Sequence, residues 1–266
     1  MAFSSLLRRL KYPALNVLSL DDPRTTEFHH DVILDKPFLR KLYVSYYREF
    51  VALERSLAAS GMAGASIELG AGGGFLKELL PDLIATDVHK YDWTDRVENA
   101  YRLSFADESL KAIYMTAVLH HLGQPRAFFR EALRTLKPGG VIAMMEPHMS
   151  TFGRLFFQYL HHEPAETESA TWEFPQTGPL SDANAALPYL LFDRDRDQFL
   201  EEFPQLQLRT RRYHTFLLYG LSGGVSFRFA PPGAWFEPLA LLEQALSPLM
   251  RRYLGTMQTV VLAKAG

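Results

Sequence analysis

A glycine-rich turn is the feature that most restricts the fold of this 266-residue chain: four of the five residues 70–74 are glycine. The turn follows the short apolar segment 65–69 and precedes residues 75–80, whose apolar positions have helical spacing. Glycine lets the backbone turn tightly and approach a ligand closely. The free N–H groups at the start of the following helix suit a carboxylate or a phosphate. The pattern predicts a strand, a ligand-binding turn and a helix, with a turn that binds no ligand as the alternative.

Apolar segments and helical patterns alternate beyond this turn. Pro125 suits the first turn of a helix, and the Lys-Pro-Gly-Gly sequence at 137–140 is expected to end that helix before a further strand. Strands separated by helices imply right-handed crossovers and a parallel sheet. The predicted strands are residues 65–69, 83–88, 97–102, 112–116, 141–145, 206–219 and 257–263.

The other segments have different patterns. Residues 1–35 are interrupted by prolines and polar runs and predict an irregular arm. Residues 36–60 carry an apolar stripe at helical spacing. Residues 148–200 mix aromatic, histidine and acidic residues without long periodicity, which indicates an inserted cap. Residues 235–254 predict a further helix, which packs against the sheet or touches a membrane surface.

The composition excludes several classes of protein. The formal net charge is -2, so a broad basic surface for nucleic acid is not expected. The chain has no cysteine, which excludes a disulfide framework, a thiolate nucleophile and a cysteine-ligated metal site. No apolar segment is long enough to span a bilayer, and the N-terminal segment lacks the features of a signal peptide. We therefore expect a soluble, cytoplasmic protein.

Asp87 stands at the end of the second predicted strand. A carboxylate there can accept hydrogen bonds from both hydroxyls of a ribose, with an acidic residue that caps a turn as the alternative. Phe75 occupies the position at which a dinucleotide-binding turn has its third glycine. The turn also lacks the Lys-Ser/Thr ending of a P-loop. The turn and Asp87 together favour a ribose-containing ligand other than a dinucleotide.

Residues 67–147 resemble class I S-adenosylmethionine (SAM)-dependent methyltransferases, in the broad bacterial group that acts on small molecules and includes quinone-biosynthesis methyltransferases. The matching motifs are Glu68-Leu-Gly-Ala-Gly-Gly-Gly, Asp87, Asn99-Ala100, Leu103-Ser-Phe-Ala-Asp-Glu-Ser-Leu, Val118-Leu-His-His-Leu and Leu136-Lys-Pro-Gly-Gly. The resemblance implies a three-layer α/β/α Rossmann-like methyltransferase fold. Its seven-stranded sheet would be mostly parallel, with an inserted cap and an antiparallel last strand at 257–263.

The resemblance also implies a role for individual residues in cofactor binding. Glu68 would orient the methionine end of SAM, directly or through water, and Asp87 would hold the ribose hydroxyls. Asn99 replaces the aspartate that usually contacts the adenine amino group, and its amide oxygen can still accept that hydrogen bond. The predicted cofactor-binding residues are Glu68, Gly70, Ala71, Gly72, Asp87, Val88, Asn99, Ala100 and Thr116.

Histidines supply the candidates for catalysis. Methyl transfer from a sulfonium needs alignment of the reactants and exclusion of water, and histidine is the natural base near neutral pH when the acceptor must lose a proton. His120 and His121 follow the fourth strand and His148 follows the fifth, at the sheet edge where ligands bind. We predict that they act as the base or orient the acceptor, with a structural hydrogen-bonding role as the alternative. Tyr43 and Tyr47, on a helix that would form a lid, and His148 are the predicted substrate contacts.

No metal site is predicted, because adjacent histidines such as His161 and His162 point apart on a helix. The predicted organisation has four parts. These are an N-terminal arm and lid helix (1–60), a SAM-binding core (61–147), an inserted cap (148–205) and the C-terminal part of the sheet (206–266).

The predicted function is methyl transfer from SAM to an O, N or C atom of a small molecule, which can be linked to a sugar or a lipid, with release of S-adenosylhomocysteine. A small-molecule acceptor is the expected partner; nucleic acid and stable insertion in a membrane are not. A catalytically inactive methyltransferase-like binding or scaffolding protein is the main alternative. A nicotinamide-dependent oxidoreductase is disfavoured by Phe75 and by the 137–140 turn, and nucleic-acid methylation by the charge and by Thr116-Ala-Val-Leu after the fourth strand.

Overall fold

A seven-stranded sheet forms the centre of the protein. The computed structural model describes residues 10–13, 18–159, 161, 163–178, 180–249 and 253–266. The strands are β1 (Ala65–Leu69), β2 (Ile84–Asp87), β3 (Arg96–Val97), β4 (Leu110–Thr116), β5 (Leu136–Pro147), β6 (Leu206–Thr215) and β7 (Gly255–Lys264). Their order in the sheet is β3-β2-β1-β4-β5-β7-β6. The first five strands pair in parallel, and β7 is antiparallel to both β5 and β6. The predicted mostly parallel sheet with an antiparallel last strand is confirmed.

Two hydrophobic cores lie on opposite faces of this sheet. Along β4, Ala112 and Tyr114 belong to one core, whereas Ile113 and Met115 belong to the other. This alternation follows from the period-two geometry of a strand, and burial on both faces explains why β4 is apolar throughout. The protein therefore has the three layers that the sequence predicts, with helices covering both faces.

Helices cover the sheet and its edges. Their spans are α1 (Pro23–Asp35), α2 (Pro37–Ala59), α3 (Leu76–Leu79), α4 (Pro125–Thr135), α5 (Thr151–Tyr159), α6 (Leu187–Tyr189), α7 (Arg196–Glu202), α8 (Phe216–Ser222) and α9 (Phe236–Leu249). Short 3₁₀ segments occur at Leu119–His121 and Gly233–Trp235, and a π-helical segment at Leu190–Arg194. Helix α2 matches the predicted helix at 36–60. It begins at a proline, and its buried face includes Phe38, Leu42 and Phe50, which recur at helical spacing.

The expectation of an irregular arm over residues 1–35 is wrong where that segment is described, because α1 occupies Pro23–Asp35. Asp22 is the N-cap, and its carboxylate accepts a hydrogen bond of 3.0 Å from the backbone N–H of Arg24. Proline in the first turn loses no intrahelical hydrogen bond, since that N–H has no partner in a helix. The Asp-Pro pair therefore begins a helix and does not mark irregular structure. Residues 1–9 and 14–17 lie outside the described residues.

Three strands have a boundary that differs from the prediction by about four residues or more. The third strand is only Arg96–Val97, because the backbone N–H of Arg102 bonds the carbonyl of Asn99 in a turn instead of continuing a ladder. The predicted strand at 206–219 ends at Thr215, and α8 follows; there the Glu243 carboxylate accepts a hydrogen bond of 2.9 Å from the N–H of Leu218. The Lys-Pro-Gly-Gly turn is the first part of β5 rather than a separate break.

The segment predicted as an inserted cap divides into two parts. Residues 187–203 pack into the core on one face of the sheet, where Leu187, Leu191, Phe199 and Phe203 join Phe129. Other residues of this segment instead line cavities at the carboxyl edge of the sheet: Phe156, Phe157, His161, Glu163, Gln176, Thr177, Gly178 and Leu180. In the predicted helix at 235–254, α9 covers residues 236–249; residues 250–252 lie outside the described residues.

Candidate active site

A large cavity opens where the parallel strands end. The strand order reverses between β1 and β4, and ligands of open parallel sheets bind at such a point. The cavity has a volume of about 900 Å³. Of the predicted cofactor-binding residues, those that line it are Gly70, Ala71, Gly72, Asp87, Val88, Asn99, Ala100 and Thr116. The sheet topology thus brings together residues from the ends of two strands, β2 and β4, and from the three loops that follow β1, β2 and β3.

The glycine turn adopts a backbone conformation that other residues rarely reach. Gly70 has a φ of +68° and Gly72 a φ of +51°. A Cβ added to Gly70 would lie 2.6 Å from Cγ2 of Val118, whereas a Cβ on Gly72 would have no neighbour closer than 3.9 Å. Gly70 is therefore required by close packing, and Gly72 leaves the cavity side of the turn open.

Asp87 is bound to the turn as well as facing the cavity. Its Oδ2 accepts a hydrogen bond of 2.9 Å from the N–H of Gly72, and its Oδ1 accepts one of 2.8 Å from the N–H of Val88. Burial raises the pKa of Asp87, and the hydrogen bonds from Gly72, His89 and Val88 partly offset this effect. Each carboxylate oxygen can accept more than one hydrogen bond. Asp87 can therefore hold the turn in place and still accept hydroxyl groups of a ligand.

Glu68 is a buried carboxylate with unused hydrogen-bonding capacity. It is fully buried, and neither of its oxygens has a hydrogen-bond partner among the described residues. Burial raises the pKa of Glu68 well above its usual range, and the negative charge of Asp87 adds to this. Thr116 Oγ1, in the cavity wall, likewise has no partner among the described residues. Glu68 does not itself line the cavity, although the next residue, Leu69, does.

A stack of aromatic rings supports the glycine turn from outside. The ring of His30, on α1, lies 4.9 Å from that of Phe75 and 4.0 Å from that of Trp93, nearly parallel to both. His30 Nδ1 donates a hydrogen bond of 2.6 Å to the carbonyl of Gly73. Trp93 Nε1 donates one of 2.8 Å to the carbonyl of Gly72. Sequence reasoning missed both residues, and recognising α1 from its Asp-Pro start would have pointed to His30.

The opposite end of the cavity is partly apolar. Val88 is 47% exposed and lines the cavity beside Ala100. The side-chain oxygen of Asn99 accepts a hydrogen bond of 2.8 Å from the N–H of Tyr101. Glu98, also in the wall, accepts a hydrogen bond of 2.9 Å from the N–H of Ser104. An aromatic heterocycle can pack on this surface with polar groups at its rim.

Tyr43 and Tyr47 of α2 line the same cavity from above the turn. Burial raises the pKa of Tyr43 to about 12 and that of Tyr47 well above its usual range. Both hydroxyl groups are therefore neutral at physiological pH and can donate a hydrogen bond. Helix α2 thus contributes two phenol rings to the cavity wall, and its role as a lid stays a prediction.

A second, smaller cavity of about 360 Å³ adjoins the first. Its wall includes Pro147 at the end of β5, Phe156 and Phe157 of α5, and residues 223–227. The two cavities have five lining residues in common: His29, Ala117, His121, Leu180 and Val225. Ala117 has a φ of +56°, a strained conformation for a residue with a Cβ, at the wall between the two cavities.

His120 and His121 follow β4 on the 3₁₀ turn Leu119–His121, and both line the smaller cavity. His120 Nδ1 donates a hydrogen bond of 2.6 Å to Glu146 Oε2, and His120 Nε2 lies 3.2 Å from Glu163 Oε2. Burial lowers the pKa of His120, but Glu146 and Glu163 together outweigh it and raise the pKa to about 10. His121 Nδ1 donates to the carbonyl of Asp182 at 3.2 Å, and its Nε2 lies 3.5 Å from Glu163 Oε1.

Two glutamates organise this histidine pair. Glu146 is fully buried on β5, and its Oε1 accepts hydrogen bonds from the N–H groups of Val118 and Leu119 at 2.9 and 2.8 Å. Burial raises the pKa of Glu163, but His120 and His121 outweigh it and hold it well below its usual range. Glu163 was not among the predicted site residues, because nothing in the local sequence connects it with the turn after β4.

His148 is buried beside the edge of the sheet, where its ring lies 4.4 Å from that of Tyr213. It lines neither of the two cavities. Its backbone N–H donates a hydrogen bond of 2.8 Å to the carbonyl of Thr256 on β7. Its assignment as a catalytic and substrate-binding residue stays a prediction.

Comparison with known proteins adds to this geometry. Residues 67–144, which are less than half of the chain, match the family model of a methyltransferase domain. No curated protein matches the sequence closely enough to be compared. Among the helices of the described residues, none is long and apolar enough to cross a membrane.

Several solved structures have a similar chain path. A geranyl diphosphate C-methyltransferase from Streptomyces coelicolor is 14% identical, with a TM-score of 0.47 over 94% of this chain and 89% of that one. A SAM-dependent methyltransferase from Archaeoglobus fulgidus is 15% identical, with a TM-score of 0.44 over 82% and 94% of the two chains. Another from Mesorhizobium loti is 14% identical, with a TM-score of 0.42 over 76% and 92%. Likenesses at this level do not carry a substrate or a mechanism from those proteins to this one.

The strand order and the glycine turn after β1 are those of a Rossmann-like fold, and the matched residues are those of a methyltransferase domain. Residues 67–144 therefore carry a methyltransferase domain, and S-adenosylmethionine is the methyl donor that such a domain uses. The site fits this cofactor on three grounds: an open glycine turn, a carboxylate at the end of β2, and the side-chain oxygens of Glu68 and Thr116, which have no hydrogen-bond partner in the described part of the chain.

Proposed function

We propose that this protein transfers the methyl group of SAM to an O, N or C atom of a small molecule held in the smaller cavity, with release of S-adenosylhomocysteine. The observation that carries this proposal is the common wall of the two cavities, formed by His29, Ala117, His121, Leu180 and Val225. A methyl donor and its acceptor must meet at van der Waals distance and in line. Two adjoining cavities at the carboxyl edge of the sheet provide such a meeting point.

The residues of the large cavity suggest how the cofactor is bound. Asp87 would accept hydrogen bonds from the ribose hydroxyls, and Val88 and Ala100 would pack against the adenine. The unpartnered carboxylate of Glu68 would attract the ammonium group of the methionine end, directly or through a water molecule. When bound, SAM supplies an activated methyl group on a sulfonium. The protein then has to orient the acceptor and exclude water.

The smaller cavity favours a compact and largely apolar acceptor. Phe156, Phe157 and Phe227 contribute aromatic surface. This surface is interrupted by the polar side chains of His120, His121, His161 and Glu163. Ligand sites commonly combine an apolar wall with a few placed polar groups. An acceptor with one polar group beside an apolar ring or chain would suit this wall. A sugar- or lipid-linked acceptor would need the rest of the molecule to lie outside a cavity of about 360 Å³.

His121 is the residue best placed to contact the acceptor, because it lines both cavities. His120 lines only the smaller cavity, and its Nδ1 is bound to Glu146. The fixed position of His120 supports an orienting role rather than a mobile one. Tyr43 and Tyr47 line the large cavity and not the smaller one. We therefore propose that they close over SAM rather than contact the acceptor.

Two measurements test this function. Titration calorimetry with S-adenosylhomocysteine should give one site per chain, and a structure of that complex should place the sulfur beside Ala117 and His121. Transfer of a labelled methyl group from SAM to small-molecule acceptors of several classes should then be detectable. Binding without any transfer would favour the alternative of a catalytically inactive binding protein. Absence of binding would exclude the proposed function.

A further inference from the structure

We propose that His120, His121 and Glu163 bind a divalent first-row transition-metal ion in the wall of the smaller cavity. The three side chains offer one ligand atom each, and these atoms all lie within 4.8 Å of one another. Both histidines are buried, and the side chain of Glu163 is 14% exposed. All three line the cavity. A bound ion would therefore face the space that we assign to the acceptor.

The distances between the ligand atoms suit a metal ion. His120 Nε2 lies 3.2 Å from Glu163 Oε2, and His121 Nε2 lies 3.5 Å from Glu163 Oε1. A tetrahedral zinc site with bonds of about 2.0–2.2 Å has ligand atoms roughly 3.3–3.6 Å apart. The two distances, which involve different oxygens of Glu163, fall near this range, and all three ligand atoms lie within 4.8 Å of one another, so the cluster can close around an ion when its side chains shift. Adjacent histidines usually point apart, but on this 3₁₀ turn the two ring centroids are only 4.3 Å from each other.

The other nitrogen of each histidine is already held by an acceptor. His120 Nδ1 donates to the carboxylate of Glu146 at 2.6 Å, and His121 Nδ1 donates to the carbonyl of Asp182 at 3.2 Å. Metal-binding histidines nearly always donate their second N–H to a carboxylate or a backbone carbonyl, which fixes the tautomer and aims the other nitrogen at the ion. Both Nε2 atoms here are aimed at the same carboxylate, that of Glu163.

The kind of ion follows from the ligands. Two imidazole nitrogens favour zinc, copper, iron or nickel over magnesium, calcium and manganese, which prefer sets of oxygen ligands. Three protein ligands leave at least one position open, as in catalytic rather than structural sites. The role of that position rests on the proposed function: an oxygen atom of the acceptor would bind there. A metal-bound hydroxyl group loses its proton more readily than a free one.

The first experiment measures metal binding alone, without SAM. The full-length protein, stripped with a chelator, is titrated with Zn²⁺ against a chromophoric zinc indicator. We expect one tight site per chain. Addition of Co²⁺ instead should give the visible absorption bands of a four- or five-coordinate ion. An ion pair among the same three side chains without metal predicts neither result, so absence of both overturns the proposal.

Variants identify the ligands. His121→Ala and Glu163→Gln should each weaken Zn²⁺ binding by more than about 100-fold, and Glu146→Gln by about 10- to 100-fold because it only orients His120. His214→Gln is the matched control, because His214 lies on β6 and bonds Thr259 outside the cluster. Thermal unfolding checks that each variant is folded, and a change in the cobalt spectrum of Glu163→Gln provides a readout that a loss of stability would not produce. Unchanged Zn²⁺ affinity in folded Glu163→Gln would refute this ligand set.

Binding of S-adenosylhomocysteine, measured on the same samples, separates the two proposals. Metal binding without cofactor binding would support the metal site and contradict the proposed function. Cofactor binding without metal binding would contradict the metal site and leave the proposed function unaffected.

Discussion

The carboxylate of Asp87, at the end of β2, accepts a hydrogen bond of 2.9 Å from the backbone N–H of Gly72, in the turn that follows β1. One side chain thus joins two neighbouring strand ends and also faces the cofactor cavity. A change at this position should therefore affect the shape of the turn and the contacts with the ligand together.

Asp87→Asn should weaken binding of S-adenosylhomocysteine by about 10- to 100-fold, since a hydrogen bond to a charged group contributes about 1.5–3 kcal/mol. The amide also turns an N–H₂ group toward the N–H of either Gly72 or Val88, where the carboxylate accepts from both. Titration calorimetry measures the effect. Asp92→Asn is the control, because Asp92 is exposed in the next loop. Equal affinity of the two variants would contradict the assignment of Asp87.

The packing of the glycine turn gives a prediction on stability. Gly70→Ala would force a Cβ to within 2.6 Å of Val118 in a left-handed backbone conformation. Gly61→Ala is a matched control, with a φ of +76° and no atom within 4 Å of the new Cβ. The control should lose only the conformational energy, about 1–2 kcal/mol, whereas Gly70→Ala should lose about 1–3 kcal/mol more from overpacking. Urea unfolding measures both, and similar losses would show that Val118 moves aside without cost.

Trp93 should contribute to cofactor affinity although it does not line the cavity. Trp93→Phe keeps an aromatic ring beside His30 but removes the hydrogen bond of 2.8 Å to the carbonyl of Gly72. We expect a loss of stability of about 0.5–1.5 kcal/mol and weaker binding of S-adenosylhomocysteine. Trp235→Phe, at a ring that is 61% exposed, should change neither quantity. An unaltered affinity in Trp93→Phe would mean that the turn keeps its shape without this support.

His214 should make the stability of the protein depend on pH. Burial lowers the pKa of His214 from its ordinary value of 6.5 to about 4, and the charge of Arg212 adds to this effect. Between these two values the unfolded chain binds the proton more readily than the folded protein does. Stability should therefore be highest above pH 6.5 and fall by about 1–3 kcal/mol as the pH drops to 4.

Denaturant unfolding at several pH values tests this prediction, with His214→Gln as the reference. The groups that face His214 are Glu49, whose Oε1 lies 3.7 Å from Nε2, Thr259 at 2.7 Å and the ring of Tyr46. Burial also raises the pKa of Glu49, which acts in the opposite direction as the pH falls. The difference between the two proteins isolates His214. An identical pH dependence in both would assign the loss to other groups.

Local sequence patterns were sufficient to predict the sheet and eight residues that line the large cavity. The strand before Gly70, the carboxylate at position 87 and Thr116 at the end of β4 each follow from a short apolar segment and what comes directly after it. Parallel topology then places these strand ends at one edge. The Asp22-Pro23 pair could also have been recognised as a helix start, since aspartate is a common N-cap and proline is common in the first turn. We instead took it as an interruption of regular structure.

The acceptor side could not be predicted in the same way. Glu163 meets His120 and His121 only because the chain returns over the sheet edge after α5, and no periodic pattern records that path. We predicted no metal site because adjacent histidines point apart on a regular helix. The 3₁₀ turn at Leu119–His121 and the buried Glu146 behind it bring the two rings together instead.

The glycine turn is held by three separate parts of the chain. The carbonyl of Gly73 is bound by His30 from α1, that of Gly72 by Trp93, and the N–H of Gly72 by Asp87. A flexible loop would have to lose conformational freedom each time a ligand arrives, which weakens association. A turn whose shape is already fixed loses little conformational freedom when a ligand binds, so its contacts contribute fully to the affinity. Helix α1 also lines the large cavity through Thr26, His29 and Ile33. Shortening the chain from that end would therefore remove part of the cavity wall and, with His30, one of the supports of the glycine turn.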